Sequence, residues 1–244
     1  MLPDASLVFS DPLFAQWVAS YLAFLGTYWV SGLAILALPS WLRPRKIQPD
    51  VRLSGADLLA IARPTLLCHL TMYPVGFLVF WPLARRRLDF GAPPPTAAAT
   101  LLAMLQLVAL TEVFFYYGHR SLHSPTLYRL VHKRHHEWKA PVSIAALYFH
   151  PLEHCVTLFD ALMPSLLLGL HPDTHRLWVC LSTLGVVLHH SGLEWPLDSL
   201  PPFESMVVQH DLHHKYTSCN YGVLGVLDWL HGTGRRRKAP EDGR

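Results

Sequence analysis

The chain has 244 residues, of which 51% are hydrophobic and only 15% are charged. This composition excludes an intrinsically disordered protein, because the apolar residues can bury ample surface. The four cysteines are scattered without a CxxC pair, which argues against a zinc ribbon or a disulfide framework. A net charge of +3, with no basic stripe alternating with aromatic residues, argues against a nucleic-acid partner.

Long apolar runs dominate the first half of the chain. Residues 13–39 contain no charged side chain, and a helix needs about 20 apolar residues to cross a bilayer. Further runs cover residues 58–84 and 96–118, and the shorter runs 155–170 and 177–188 predict either a re-entrant hairpin or two imperfect spans. We therefore predict an all-α polytopic membrane protein with about four transmembrane helices and a histidine-rich helical cap.

The sequence does not decide two features of this organisation: the path of the run 58–84 and the environment of the basic stretch 235–238. The run 58–84 contains Arg63 and Pro64, so it crosses the membrane once or forms a hairpin that breaks there. A single crossing would put the basic clusters 43–46 and 85–87 on opposite sides, where the positive-inside rule cannot hold for both. The basic stretch 235–238 is predicted to be either a solvated tail or a contact with anionic lipid.

We divide the chain into three parts. Residues 1–95 hold the first membrane spans and their loops, residues 96–234 form a catalytic domain, and residues 235–244 form a polar tail.

Sixteen histidines are present, and eight of them fall into three motifs that directly follow apolar runs. These are HRSLH (His119, His123), HKRHH (His132, His135, His136) and HDLHH (His210, His213, His214). On a helix, residues at i, i+3 and i+4 share a face, so each motif is expected to present its imidazoles in one direction. Eight imidazoles exceed the needs of one tetrahedral zinc, and two metal ions fit the number better.

Glu112 stands seven residues before His119 and eleven before His123, which places it on nearly the same helix face. A carboxylate inside an apolar span is costly and is usually functional. We expect it either to accept a hydrogen bond from an imidazole N–H or to pair with Arg120.

The position of the motifs beside apolar runs indicates a lipid substrate. Neutral imidazole suits iron, zinc, copper and nickel, and the ligand type does not choose among them. Oxygen chemistry on an unactivated C–H bond requires a metal or cofactor, and in this context we expect iron. The remaining histidines are expected to be structural or interfacial, with His189 an ordinary neighbour of a better candidate, His190.

From Glu112 to Thr233 the chain resembles the fatty acid hydroxylase superfamily, which includes the sterol desaturases, and within it the C4-methylsterol monooxygenases. The resemblance rests on EVFFYYGHRSLH, HKRHHEWKAP, LYFHPLEH, HHSGLEWP, QHDLHH and NYGVLGVLDWLHGT. It implies an enzyme of the endoplasmic reticulum membrane with a cytosolic cap. It also implies a histidine-bound pair of iron ions, O₂ as co-substrate, and electrons from NAD(P)H through cytochrome b5 and its reductase.

The resemblance carries residue roles to this chain by position. The eight motif histidines would bind metal, and His190 would open a further block that reads HxxxH in fatty acid hydroxylases. Here that block ends in Glu194, as it often does in methylsterol oxidases, which favours a sterol substrate. Glu194 would either bind metal or hold an imidazole. Four other residues would support the ligands: Glu112, His150, Glu153 and Asp228.

Three alternatives remain beside a sterol oxidase. One is a fatty-acyl or sphingolipid hydroxylase or desaturase on the same scaffold. Another is a metal transporter, which calls for polar ligands near the middle of several spans. The third is an inactive regulator that keeps the fold, supported only by the missing second histidine after His190.

Overall fold

The computed structural model describes residues 10–196 and 204–236. Eight α-helices form in these ranges: α1 (Pro12–Leu36), α2 (Gly55–Arg87), α3 (Ala97–Leu122), α4 (Pro125–Leu130), α5 (Pro151–Leu168), α6 (Pro172–His189), α7 (Met206–Tyr216) and α8 (Val226–His231). Two 3₁₀ helices cover His132–Glu137 and Ser143–Ala145. No strand forms in the described ranges, where Lys46 and Leu193 make an isolated antiparallel bridge. The predicted all-α fold is confirmed.

Three helices, α1 to α3, are long and apolar enough to cross a membrane, over Leu13–Leu36, Gly55–Arg87 and Ala97–Leu122. Large apolar side chains on all three point outward, such as Val30, Val79 and Leu101. The protein is therefore a membrane protein. A fourth crossing is not confirmed, because α5 and α6 are shorter and less apolar.

Helix α2 is continuous over 33 residues, so the hairpin alternative at Pro64 is wrong. Prolines are tolerated in membrane helices because neighbouring groups can satisfy the backbone carbonyls that they free. A capping box between Ser54 and Asp57 fixes the start of the helix, and three arginines occupy its last turn, where positive charge suits the helix dipole.

Helices α5 and α6 run from the histidine end of the molecule to the opposite end and back. At the far end, Arg87 donates hydrogen bonds to the carbonyls of Leu166 and Leu167, next to the turn at Gly169. At the near end, the loop after α1 contacts the segment that follows α6, because Ile47 N–H donates to the Gly192 carbonyl. The basic clusters 43–46 and 85–87 thus lie at opposite ends.

Buried side chains connect the membrane helices to the histidine-bearing segments. Helix α1 packs on α2 and α6, while α2 and α3 both pack on α5. Trp17 donates its indole N–H to the Phe77 carbonyl at 2.8 Å, and the Tyr28 hydroxyl donates to the Ile144 carbonyl at 2.9 Å. The first contact joins two membrane helices, and the second joins α1 to the 3₁₀ helix Ser143–Ala145 beside the histidine-bearing segments.

Most of the polar tail predicted at 235–244 lies outside the described residues. Arg235 is described, and its guanidinium lies 3.7 Å from the centre of the Tyr216 ring.

Candidate metal centre

The nine histidines predicted as ligands fall into two groups whose ring nitrogens lie within 4.8 Å of one another. The first group contains His119, His123, His132, His136 and His213, and the second contains His135, His190, His210 and His214. Eight of these side chains are buried and His123 is half-buried. Segments that are distant in the sequence therefore converge on one place.

The two HxxHH motifs divide their histidines between the groups. In HDLHH, His210 and His214 join the second group while His213 joins the first. A helix turns about 100° per residue, so residue i+4 lies about 40° from residue i in one direction around the axis. Residue i+3 lies about 60° from residue i in the opposite direction. The prediction that each motif points in one direction is therefore wrong for the two HxxHH motifs, whereas His119 and His123 of HRSLH do share the first group. The motif HKRHH, in a 3₁₀ helix, likewise separates His135 from His132 and His136.

The two groups touch and form one continuous site. The ring centres of His135 and His136 lie 5.3 Å apart, and those of His136 and His214 lie 4.7 Å apart. The adjacent histidines of each motif thus bridge from one group to the other, and the arrangement offers two neighbouring positions for metal ions.

Backbone carbonyls determine which ring nitrogen of three histidines carries the proton. Nδ1 of His119 lies 2.9 Å from the Tyr221 carbonyl, Nδ1 of His213 lies 2.7 Å from the Cys219 carbonyl, and Nδ1 of His190 lies 2.8 Å from the Val186 carbonyl. A carbonyl oxygen only accepts hydrogen bonds, so Nδ1 must be the donor in each ring. Nε2 of each neutral ring then presents a lone pair to its group.

This arrangement fits a bound cation. His119 and His213 belong to the same group, and their Nε2 lone pairs face Nε2 of His132 and Nε2 of His136, each at 3.2 Å. Nε2 of His123 in that group is buried and has no hydrogen-bond partner among the described residues. A metal ion would satisfy all three nitrogens, and neutral imidazole suits iron, zinc, copper and nickel.

Burial keeps the rings in the neutral form that binds metal. Desolvation, followed by the neighbouring imidazoles, holds the pKa of His135, His190, His210 and His213 well below its ordinary value. Burial lowers the pKa of His214 to about 3. The rings are therefore unprotonated at neutral pH without any metal.

Glu153 contacts a histidine of the first group directly. Its Oε1 lies 2.6 Å from Nδ1 of His132, and both side chains are 1% exposed. Burial raises the pKa of Glu153 to about 9 in the metal-free protein, and a cation bound at Nε2 of His132 would favour the ionised carboxylate. A carboxylate on the outer nitrogen of a ligating imidazole fixes the ring orientation and raises its basicity.

Glu112 differs from both predicted roles, because it contacts neither an imidazole nor Arg120. Its carboxylate accepts backbone N–H groups of Val223, Leu224 and Leu227 at 2.8 to 3.2 Å. Arg120 instead donates to the Tyr116 hydroxyl. Glu112 thus fixes the loop between α7 and α8.

Asp228 fixes the same loop from the other side, and it contacts no histidine directly. It accepts the backbone N–H groups of Tyr221 and Gly222 at 2.8 and 2.7 Å. A Cβ on Gly222 would lie 2.8 Å from Glu112 Oε1 and 3.0 Å from Asp228 Oδ2, so the loop needs glycine there. The two acids thereby position the Tyr221 carbonyl that orients His119.

His150 and Glu194 lie outside both histidine groups. His150 is the N-cap of α5, where Nδ1 accepts the Leu152 N–H at 3.3 Å, and its supporting role stays a prediction. Glu194 is half-buried, and its backbone N–H donates to the Arg45 carbonyl. It belongs to neither group of potential metal ligands.

Sequence reasoning missed several contributors to the site. The buried ring of His189 stacks on His210 with ring centres 5.4 Å apart. Its position next to His190 in the sequence could have indicated that it lies at the site. The carbonyls of Tyr221 and Cys219 had no signal, because every residue carries a carbonyl and only the fold selects which one is used.

An apolar cavity of about 690 Å³ ends at the histidines. Its walls include Tyr73, Met104, Leu162 and Trp178, and five histidines of the two groups form its polar end: His119, His132, His135, His190 and His210. Met104 precedes His119 by fifteen residues on α3, a distance of about 22 Å along the helix. The cavity therefore fits a long apolar molecule with one end at the imidazoles.

The fatty acid hydroxylase profile matches residues 104–233, more than half of the chain. The chain belongs to the fatty acid hydroxylase family. All nine histidines of the two groups lie inside the matched region. The family resemblance predicted from the motifs is thus confirmed.

Proteins similar to this chain include fatty acid hydroxylase domain-containing proteins and a methylsterol monooxygenase. The chain is 41% identical over 165 residues to fatty acid hydroxylase domain-containing protein 2 of Macaca fascicularis, covering 66% of this chain and 45% of the relative. The human protein of that name is 37% identical over 193 residues, covering 78% and 53%. Methylsterol monooxygenase 2-2 of Arabidopsis thaliana is 32% identical over 225 residues, covering 88% and 84%.

The chain spans about half the length of the first two relatives. No solved structure matches it.

Proposed function

We propose that this protein is a membrane-bound oxygenase that hydroxylates a lipid at a centre of two iron ions, with O₂ as co-substrate. The observation that carries the proposal is the contact between two buried histidine groups and the end of a long apolar cavity. Family membership supports it independently.

The residues of the chain have distinct tasks in this proposal. The five histidines of the first group and the four of the second would hold the metal ions. Iron supplies the oxygen activation that no side chain can perform. Glu153 holds the orientation of His132, and the Tyr221 carbonyl holds that of His119. The apolar walls bind the lipid chain and exclude water from the reacting carbon.

A sterol is the proposed substrate, as for a C4-methylsterol oxidase. The similarity to the Arabidopsis protein supports this choice, because the chain covers 84% of that relative's length. Glu194 in place of a second histidine after His190 also favours it, as the family resemblance implies. A fatty-acyl or sphingolipid hydroxylase or desaturase is the second candidate, favoured by the name of the macaque and human relatives and by the length of the cavity.

We propose that the protein lies in the endoplasmic reticulum membrane with its histidine end in the cytosol. The excess of basic residues at that end, including Arg45, Lys133 and Lys139, supports this orientation by the positive-inside rule. Cytochrome b5 and its reductase would then deliver electrons from NAD(P)H on the cytosolic side.

The experiment compares lipids of cells that express the wild type or His135→Ala under ¹⁸O₂, with His171→Ala as a control at the opposite end of the molecule. We expect ¹⁸O in methylsterol products for the wild type and the control, and none for His135→Ala. Label confined to hydroxylated acyl chains would favour the second candidate. Equal label with and without His135 would contradict the proposed centre.

A further inference from the structure

Three acidic side chains line the apolar cavity, and one of them has no polar partner among the described residues. Asp160, on α5, is part of the cavity wall. No hydrogen bond or ion pair joins its carboxyl group to another described residue, whereas Glu112 and Glu153 in the same wall are both engaged. Burial raises the pKa of Asp160 to about 7. A carboxyl group in such a place is costly unless a partner arrives from the cavity.

The neighbouring helix is shaped to admit this carboxyl group. A Cβ on Gly118 would lie 2.6 Å from Asp160 Oδ2, closer than any side chain permits. Gly118 directly precedes His119 on α3, so the carboxyl group lies beside the helical turn that carries a histidine of the first group. A polar atom held there brings the adjacent carbons of a ligand toward the histidines.

We infer that Asp160 is a specificity-determining residue that binds a neutral hydroxyl group on the lipid, close to the carbon that reacts. This inference rests on the proposed function, because it concerns the substrate of the same site. At a pH above its pKa of about 7, where the binding is to be compared, Asp160 is ionised, accepts a hydrogen bond from a hydroxyl and repels a lipid that carries a carboxylate. The protein should therefore select lipid alcohols over ethers, which cannot donate, and over fatty acids.

The test measures equilibrium binding of radiolabelled cholesterol and of its 3-methyl ether to the purified full-length protein in nanodiscs, without turnover. The two probes differ in one hydrogen-bond donor. Hydrogen bonds to charged groups contribute enough to predict a preference of about tenfold to hundredfold for the alcohol in the wild type. Asp160→Leu should abolish this preference.

Two further variants separate loss of the contact from loss of the fold. Gly118→Ala keeps the carboxyl group but displaces it, so the preference should fall without any change at residue 160. Asp173→Asn changes an exposed acid on α6 and should keep the preference of the wild type. Thermal unfolding and metal content measured on every variant report folding.

The outcomes distinguish this inference from the proposed function. An unchanged preference in Asp160→Leu, or a wild type that binds both probes equally or binds neither, overturns the role of Asp160. Loss of preference in Asp160→Leu and in Gly118→Ala supports it. If the metal-loaded protein oxidises no lipid but the preference for the alcohol holds, the oxygenase proposal fails while the binding role of Asp160 stands.

Discussion

Glu153 Oε1 lies 2.6 Å from Nδ1 of His132, and the pair is sealed from solvent between α5 and the HKRHH segment. The contact joins a helix that lines the apolar cavity to a histidine of the first group. One carboxylate therefore couples the orientation of a potential metal ligand to the wall of the substrate site.

Replacement of Glu153 tests this coupling. Glu153→Ala should weaken metal binding by about tenfold to hundredfold, as is typical when the outer partner of a ligating histidine is lost. Glu153→Gln keeps an acceptor for the imidazole N–H and should lose less. Competition with a chelator measures the affinity. Glu137→Gln, which changes an acid bonded to the Tyr148 hydroxyl, is the control. Equal affinities in all four proteins would show that the pair has no role in metal binding.

Removal of the Glu112 carboxylate should loosen the loop that orients His119. In Glu112→Gln the amide NH₂ would face backbone N–H groups that now donate to the carboxylate. We expect a loss of about 1–3 kcal/mol in the free energy of unfolding, together with lower metal occupancy of the first group. Denaturant unfolding and elemental analysis measure the two effects. A variant with the stability and the metal content of the wild type would rule out this clamp.

The metal-free protein should lose stability as the pH falls below about 6.5. The pKa of His214 in the folded protein is about 3, whereas an unfolded histidine titrates near 6.5. Below pH 6.5 the unfolded chain therefore binds more protons than the folded one, at a cost of about 1.4 kcal/mol per pH unit for each such histidine. Unfolding temperatures measured from pH 7.5 to 5 should decline steadily. A constant value over this range would mean that the rings are not buried as neutral groups.

Filling the far end of the cavity should reduce turnover of long lipids without affecting the metal. Met104 lies about 22 Å from His119 along α3, and Met104→Trp would fill the cavity at that end. We therefore expect kcat/KM to fall most for the longest substrates. Leu101→Trp is the matched control, because Leu101 is 63% exposed on the same helix. If both variants react like the wild type, the lipid does not occupy this cavity.

The sequence predicted the features that depend on residue type and local spacing. The run that forms α1, the all-α class and the eight motif histidines were evident, because apolar length and i, i+4 spacing are local properties, whereas His190 came from the family resemblance. The distribution of His213 and His214 between two groups was not evident, since it depends on how α7 is rotated against three other segments.

Long-range contacts explain the remaining errors. Glu112 was expected to face the histidines on its own helix, but it binds a loop 111 to 115 residues away. Asp160 gave no signal in the sequence, because its significance comes from Gly118 on another helix. Pro64 was read as a possible break, yet the neighbours of a membrane helix allow it to continue.

The metal content of the anaerobically purified protein tests the central claim most directly. We predict two iron ions per chain. His136→Ala and His135→Ala, which change adjacent residues in different groups, should each reduce the content to about one ion, and the double variant should bind almost none. A single ion in the wild type, or two ions retained in the double variant, would contradict the account.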